Sequence, residues 1–268
     1  MTTETGILST SQKYKYYETA VQCFESDIEF LKDNYKKIYN KEPLTLREDF
    51  GGTGALACNW VKEGPNNISW AVDIDPEPIG YGIENHLSKL TKKEKERMKF
   101  MEANVLDKFD FKADVIVAFN FSYFIFKKRK QLLEYFTRVR EGLNDQGAFF
   151  IDLFGGTEAR SELVEETEHE DFSYFWDCDN FNPITEECQY YIHFKTHKDN
   201  QKYHKVFSYD WRMWGIAELR EIMEDAGFSK TIAFWEGDDG DGGGDGEFYK
   251  TETAENCESW VTYICALP

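Results

Sequence analysis

Apolar residues recur with a helical period from Lys13 to about Tyr39, where Val21, Phe24, Ile28 and Leu31 share one face. The polar residues 1–12 before this run read as a frayed end, and Lys41-Glu42-Pro43 stops the helix. Short apolar runs then alternate with helical stretches. Leu44 to Phe50 is a strand running into a glycine loop, and Gly54 to Val61 is a helix that buries Ala55, Leu56, Ala57 and Trp60. Ile68–Asp73, Met98–Glu102, Ala113–Asn120 and Ala148–Leu153 read as further strands. Between them lie a helix started by Asp75-Pro76, a capped segment opened by Thr91 with Glu94, and an amphipathic helix from Lys128 to Leu143. The run Ala113–Asn120 is nearly all apolar, as in a parallel strand buried on both faces. Five strands alternating with helices predict an α/β, doubly wound sheet, with ligands at the strand C-termini.

After Gly155-Gly156 the rhythm changes. Phe172–Trp176, Glu187–Phe194 and Tyr203–Tyr209 read as successive antiparallel strands. They form an inserted lid or wall, not a separate domain. A helix over Gly215–Ala226 follows, then strands over Thr231–Trp235 and Trp260–Cys265, joined by a glycine- and aspartate-rich linker at 237–246. That linker lacks the ligand spacing of an EF-hand and reads as a hairpin tip.

Charge narrows the partners. The 268 residues carry 50 acidic and 31 basic side chains, a formal net charge of −19. Such a chain repels a phosphate backbone, so no nucleic-acid partner is expected, and a small-molecule substrate fits better. The basic clusters Lys92–Arg97 and Lys127–Lys130 read as solvated helix faces or helix starts. No Cys-x-x-Cys pair, zinc-type cluster, signal peptide or apolar run of membrane length is present. These absences predict a cytoplasmic protein with free thiols, no metal and no membrane partner. Oligomeric state is left open.

The candidate chemistry begins at Gly52-Thr53-Gly54, which follows a strand and opens a helix, so backbone can approach a ligand closely. Asp73 stands about 20 residues on, at the end of the second strand, where ribose hydroxyls would be held. Alone, this pattern also fits a dinucleotide site. Glu48 before the loop suits a cofactor with a cationic amino acid part and would sit poorly beside a pyrophosphate. Asn104 and Val105 offer a side-chain acceptor and a backbone donor for an adenine edge. Asn120 ends the fourth strand at the mouth, where the reacting atom would lie. Tyr123 and Asp152, at strand ends facing the same mouth, are the candidates for orienting or deprotonating a nucleophile. Packing explains Tyr123 nearly as well, and a turn cap would explain Asp152. Tyr16, Tyr17, Phe172, Tyr174, Trp176, Phe181, Trp211 and Trp214 could cage a sulfonium or an amine, with two or three expected to touch ligand.

These features resemble class I S-adenosylmethionine-dependent methyltransferases, whose first motif is acid-x-Gly-x-Gly-x-Gly. Glu48, Gly52 and Gly54 match it, while Phe50 stands where the first glycine is expected. The strings Leu46–Phe50, Asn120–Phe124, Asp152–Gly156, Phe181–Thr185 and Tyr209–Arg212 resemble a largely bacterial-type set of these enzymes, from about residue 13 to the end. The resemblance implies a seven-stranded sheet with an antiparallel last strand and an inserted antiparallel β lid. It implies a helical segment at 1–40, then a methyltransferase domain at 41–268 with its β insertion at about 157–210. It also implies S-adenosylmethionine as cofactor, with Tyr17 among the residues near it. Glu48, Gly52 and Gly54 would surround its methionine part and ribose, Asp73 would hold the ribose, and Ile74 would pack on adenine. Asn104 with Val105 would read the adenine edge, an Asn replacing the usual acid there. The expected reaction moves a methyl group to nitrogen or oxygen of a small, neutral or cationic acceptor. A catalytically silent scaffold, suggested by Phe50, and a nicotinamide-dependent oxidoreductase remain as alternatives.

Overall fold

A computed structural model describes residues 6–238, 240 and 243–268. Two helices, α1 (Thr10–Val21) and α2 (Phe24–Tyr39), replace the single helix expected over this stretch. The break at Gln22-Cys23 contains neither Gly nor Pro. Val21, Phe24 and Ile28 keep helical spacing across it, which hides it from a periodicity argument. The segment before α1 is better ordered than its polarity suggests, because Leu8 is buried and Ser9 with Gln12 forms a capping box.

The main sheet contains β1 (Thr45–Asp49), β2 (Ile68–Asp73), β3 (Met98–Glu102), β4 (Ala113–Ala118), β5 (Leu143–Gly155), β10 (Lys230–Asp238), β11 (Gly244–Thr251) and β12 (Trp260–Leu267). Their order is β11-β10-β12-β5-β4-β1-β2-β3, with β12 antiparallel to both neighbours. The sheet therefore has eight strands, not seven. The addition, β11, pairs antiparallel on the outer edge of β10. Its residues are mostly exposed, so it lacks the apolar alternation that marks a strand. Asp239, Asp241 and Gly242 of the expected hairpin tip, and the extreme N-terminus 1–5, lie outside the described residues.

Alternation along the central strands serves two cores. Val115 and Val117 of β4 join Leu46 and Phe150 under Ile28, Leu31 and Tyr35 of α2 and under α3 (Ala55–Trp60). Ile116 and Ala118 point the other way, onto α6 (Arg129–Gly142) and α7 (Ile216–Asp225) through Phe136, Val139, Leu219 and Ile222. Each large side chain buried this way stabilises the fold by about 1.5–3 kcal/mol. Helix α4 (Pro76–Asn85) starts as expected, with the Asp75 carboxylate accepting from Glu77 N. The short α5 (Lys92–Lys95) carries the Thr91–Glu94 capping box.

The insertion forms a separate antiparallel sheet, β6-β7-β8-β9, from β6 (Leu163–Glu168), β7 (Phe172–Asn182), β8 (Glu187–Thr196) and β9 (Lys202–Arg212). Edge strand β6 is an addition to the three expected strands. It is exposed throughout, so no buried period announces it. One face of this sheet, through Cys178, Tyr190 and Trp211, merges with the α6/α7 core. Tyr191 points to the opposite face, where Lys205 Nζ lies 3.9 Å from its ring centroid. Its neighbour Tyr190 takes the inner position, since side chains alternate along a strand.

All six cysteines are free. Cys58, Cys178, Cys188 and Cys265 are buried, whereas Cys23 and Cys257 are exposed. Among the described residues no helix is long and apolar enough to cross a membrane.

Candidate active site

The loop after β1 is built from left-handed residues: Phe50 at φ 55°, Gly52 at 51° and Gly54 at 61°. Phe50 thus keeps the conformation that a glycine would adopt there. Its ring packs edge-on against Phe126 and Tyr135, at centroid distances of 5.9 and 5.5 Å, and this packing offsets the backbone strain. Gly54 is favoured sterically, because a Cβ at this left-handed position would run into the Phe100 ring. Above Gly52 the space is open, with only Pro78 at 4.0 Å from a built Cβ. Asp73 secures the loop: its Oδ2 accepts from Gly52 N at 2.8 Å and its Oδ1 from Asp75 N at 2.9 Å. From α1, Glu18 accepts the Thr53 hydroxyl at 2.6 Å and pairs with His86 at 2.7 Å, which holds that helix over the loop.

A cavity over this loop is lined by Tyr17, Gln22, Glu48, Gly52, Asp73 and Asn120, with Lys13 and Tyr14 at its α1 side. Its electrostatics are one-sided. Burial pushes the Glu48 carboxyl up to about 8, against the single amide bond it accepts from Ala57 N at 3.0 Å. Asp27 of α2, bonded to Tyr263, is pushed up to about 7 by burial, and so is Asp152. Asp27 adds a like charge near both of the other two. Burial also raises Asp73. Gln22 Oε1 is buried with no hydrogen-bond partner.

A second cavity adjoins the first, and Tyr17, Asn120 and Tyr209 line both. Its walls are Tyr174, Trp176 and Trp211 from the insertion and Phe154 from β5. Trp176 stacks on Tyr190 with ring centroids 4.6 Å apart, and Tyr209 lies 4.4 Å from Trp211. The inserted sheet therefore stands beside the glycine-loop cavity as a wall.

Of the residues singled out in the sequence, Tyr17, Glu48, Gly52, Asp73 and Asn120 come together at the first cavity. Gly54 sits just behind, as the N-cap of α3. Ile74, just after β2, is 68% exposed and is not among the residues lining either cavity. Asn104 and Val105 lie beyond β3. The Asn104 side chain accepts from Leu106 N at 3.0 Å, and the Val105 side chain is buried.

Tyr123 does not face the mouth. It is fully buried, and its hydroxyl donates to the Asp152 carbonyl at 2.9 Å. The cause is the turn after β4, where Asn120 and Phe121 both adopt left-handed φ, 56° and 58°, and swing the next residues inward. Asp152 holds that turn. Its Oδ2 accepts from Asn120 N at 2.7 Å and its Oδ1 from Phe121 N at 3.0 Å. Of the aromatic candidates, Tyr17, Tyr174, Trp176 and Trp211 line the second cavity. Tyr16 stacks on Phe172 at 4.3 Å, and Trp214 is buried beneath the Arg212 guanidinium. Sequence reasoning passed over Glu18, Gln22 and Asp27. Glu18 and Asp27 are polar residues in helices marked by their apolar stripes, and Gln22 sits in the break between those helices.

No protein-family model matches this chain, and no curated protein matches it in sequence. Solved structures do. An S-adenosylmethionine-dependent methyltransferase from Clostridium acetobutylicum superposes with a TM-score of 0.71 at 15% identity, over 97% of this chain and 99% of that one. The fold is that of the class I methyltransferases. A sugar N-methyltransferase from a Streptoalloteichus species matches with a TM-score of 0.63 at 12% identity, covering 100% of this chain and 96% of its own. An amino pentose methyltransferase from Micromonospora echinaspora, with S-adenosylmethionine bound, gives 0.64 at 8% identity over 98% and 99%. At these identities the likeness carries the architecture, and the chemistry must be argued from the cavities.

Proposed function

We propose that this chain is an S-adenosylmethionine-dependent methyltransferase acting on nitrogen or oxygen of a small, neutral or cationic acceptor. The observation that carries the reading is the acceptor-rich first cavity. Glu48, Asp73 and the unpartnered Gln22 oxygen line it, burial raises both carboxyls, and the buried Asp27 behind the lining adds a like charge near Glu48. Such a surface seeks a cation. It opposes a pyrophosphate, which argues against the nicotinamide alternative. The left-handed Phe50 keeps the loop path that the motif requires, so the departure from glycine is no argument for a silent scaffold.

The lining of the first cavity supports the amino acid and ribose sides of this cofactor, and the adenine side is the proposal's extension of it. Glu48 and Gln22 would meet its amino acid part, Asp73 its ribose, Ile74 the adenine face, and Asn104 with Val105 the adenine edge. Bound there, the cofactor supplies an electrophilic methyl group on a sulfonium. The protein's share is alignment and exclusion of water. Asn120, Tyr17 and Tyr209 stand at the junction of the two cavities, where an acceptor in the second would be presented to a cofactor in the first. Asp152 acts through the Asn120–Phe121 backbone that it anchors, and Tyr123 braces the same turn from behind.

Calorimetric titration with S-adenosylmethionine, S-adenosylhomocysteine and NADH tests the reading. The two sulfur ligands should bind and raise the melting temperature by mass action. Binding of NADH with no response to either sulfur ligand would overturn it.

A further inference from the structure

The second cavity has a chemical character of its own. Its walls are aromatic: Trp176, Trp211, Tyr174 and Phe154 present ring faces or edges to the space. No Lys or Arg lines it, although the chain has 31 of them. The charged side chains that do are Glu158, just after β5, and Glu165, on β6. Neither forms an ion pair among the described residues. Glu165 lies opposite Trp176 in the β6–β7 register, so carboxylate and indole come from one pair of strands.

This combination selects by charge. An ammonium group is attracted both by ring faces and by carboxylates, and the two attractions add for the same ligand. A phosphate or carboxylate would meet two like charges and no cation to offset its lost hydration. A large apolar wall also asks for an apolar body on the ligand.

Resting on the methyltransferase reading of the adjoining cavity, we propose that the acceptor is an organic amine, entering as its cation, with an apolar or aromatic ring face and no phosphate; the bound ammonium gives one proton to water at the solvated rim, and the freed nitrogen lone pair takes the methyl group as sulfur keeps the electron pair of the broken bond. Glu158 and Glu165 are the specificity-determining residues for its charge, and Trp176 is the determinant for its body.

Three isosteres test this: phenethylamine, 2-phenylethanol and 3-phenylpropionate, titrated into the full chain with and without saturating S-adenosylhomocysteine. The amine should bind at least tenfold more tightly than the alcohol, and the carboxylate should give no signal. The preference should shrink as salt rises, because the two carboxylates sit at a solvated rim. In the Glu158→Gln, Glu165→Gln double variant, amine and alcohol should become equal within about threefold. Trp176→Ala should weaken both by a similar factor and leave their ratio intact. The proposal is overturned if the carboxylate binds as well as the amine, if the double variant keeps the tenfold preference, or if none of the three binds. S-adenosylhomocysteine is read separately in the same protein. Its failure to bind would sink the methyltransferase reading, while the charge preference of the second cavity would still be measured without it.

Discussion

Replacing Asp152 by Asn should separate what the site needs from what the fold prefers. The carboxylate anchors two consecutive left-handed residues, Asn120 and Phe121, with one amide bond to each oxygen. Each such residue costs roughly 1–2 kcal/mol of backbone strain. Yet burial moves this carboxyl from its ordinary 3.8 to about 7 even with both amide bonds in place. Such a displacement is worth about 4 kcal/mol between the two protonation states. The folded chain therefore holds the proton more tightly than the unfolded chain. The resulting stability is complete below about 3.8 and lost as pH rises through about 7. Asn keeps one acceptor, loses the other, and carries no charge to desolvate. The lost bond and the donor now facing a donor cost about 1–3 kcal/mol. Above pH 8 the relief from burying a charge is the larger effect, and Asp152→Asn should be more stable than the parent by about 1–2 kcal/mol, on the same magnitudes. At pH 5.5, where the parent is largely protonated, the variant should be equal or slightly less stable. Urea melts of both proteins at the two pH values measure the crossing. A variant less stable than the parent by the same amount at both would refute the account of Asp152 as a strained anchor. Affinity for S-adenosylhomocysteine should fall in the variant at every pH, because Asn120 loses its fixed position.

Other consequences follow from the first cavity. Glu48 must be ionised to meet a cation, so S-adenosylmethionine affinity should rise as pH passes from 6.5 to 8.5, with proton uptake by the buffer visible in calorimetry; flat affinity across that range would remove Glu48 from the amino acid subsite. Asp73→Ala should weaken S-adenosylhomocysteine by about 1.5–3 kcal/mol, the range for hydrogen bonds to a charged group, and a folded variant with unchanged affinity would move the ribose elsewhere. Gln22→Leu should weaken S-adenosylhomocysteine roughly tenfold, equivalent to about 1.4 kcal/mol, and leave 5′-methylthioadenosine, which lacks the amino acid part, unaffected. Equal losses for the two ligands would mean that Gln22 acts only on the fold.

The parts of this molecule that periodicity reveals are those where one residue type serves one structural need. The apolar runs of β2, β3 and β4, the Asp75-Pro76 helix start and the Thr91–Glu94 box could all be read from the sequence and all formed. Strands β6 and β11 escaped because an edge strand bonded on one side and exposed on its faces leaves no apolar period to read. That Glu48, Gly52 and Asp73 line one cavity was legible for a related reason. Glu48 is the penultimate residue of β1, Gly52 follows it in a short loop, and Asp73 ends the neighbouring parallel strand β2, so a local strand–loop–helix–strand unit places them. Tyr123 was not, since its direction depends on two positive φ values at Asn120 and Phe121, types that give little sign of a left-handed turn. Gln22 and Asp27 needed tertiary information altogether. A helix break without Gly or Pro puts the first over the glycine loop. The path of α2 across the sheet puts the second beside Tyr263, on β12, more than two hundred residues later in the chain. The same holds for the acidic character of the site. A net charge of −19 describes the surface as a whole, but a cavity becomes a cation site only where carboxylates lose water together. Here the buried carboxyls Asp27, Glu48 and Asp152 come from α2, β1 and β5, and the doubly wound topology sets Asp27 close enough to the other two to add a like charge to each.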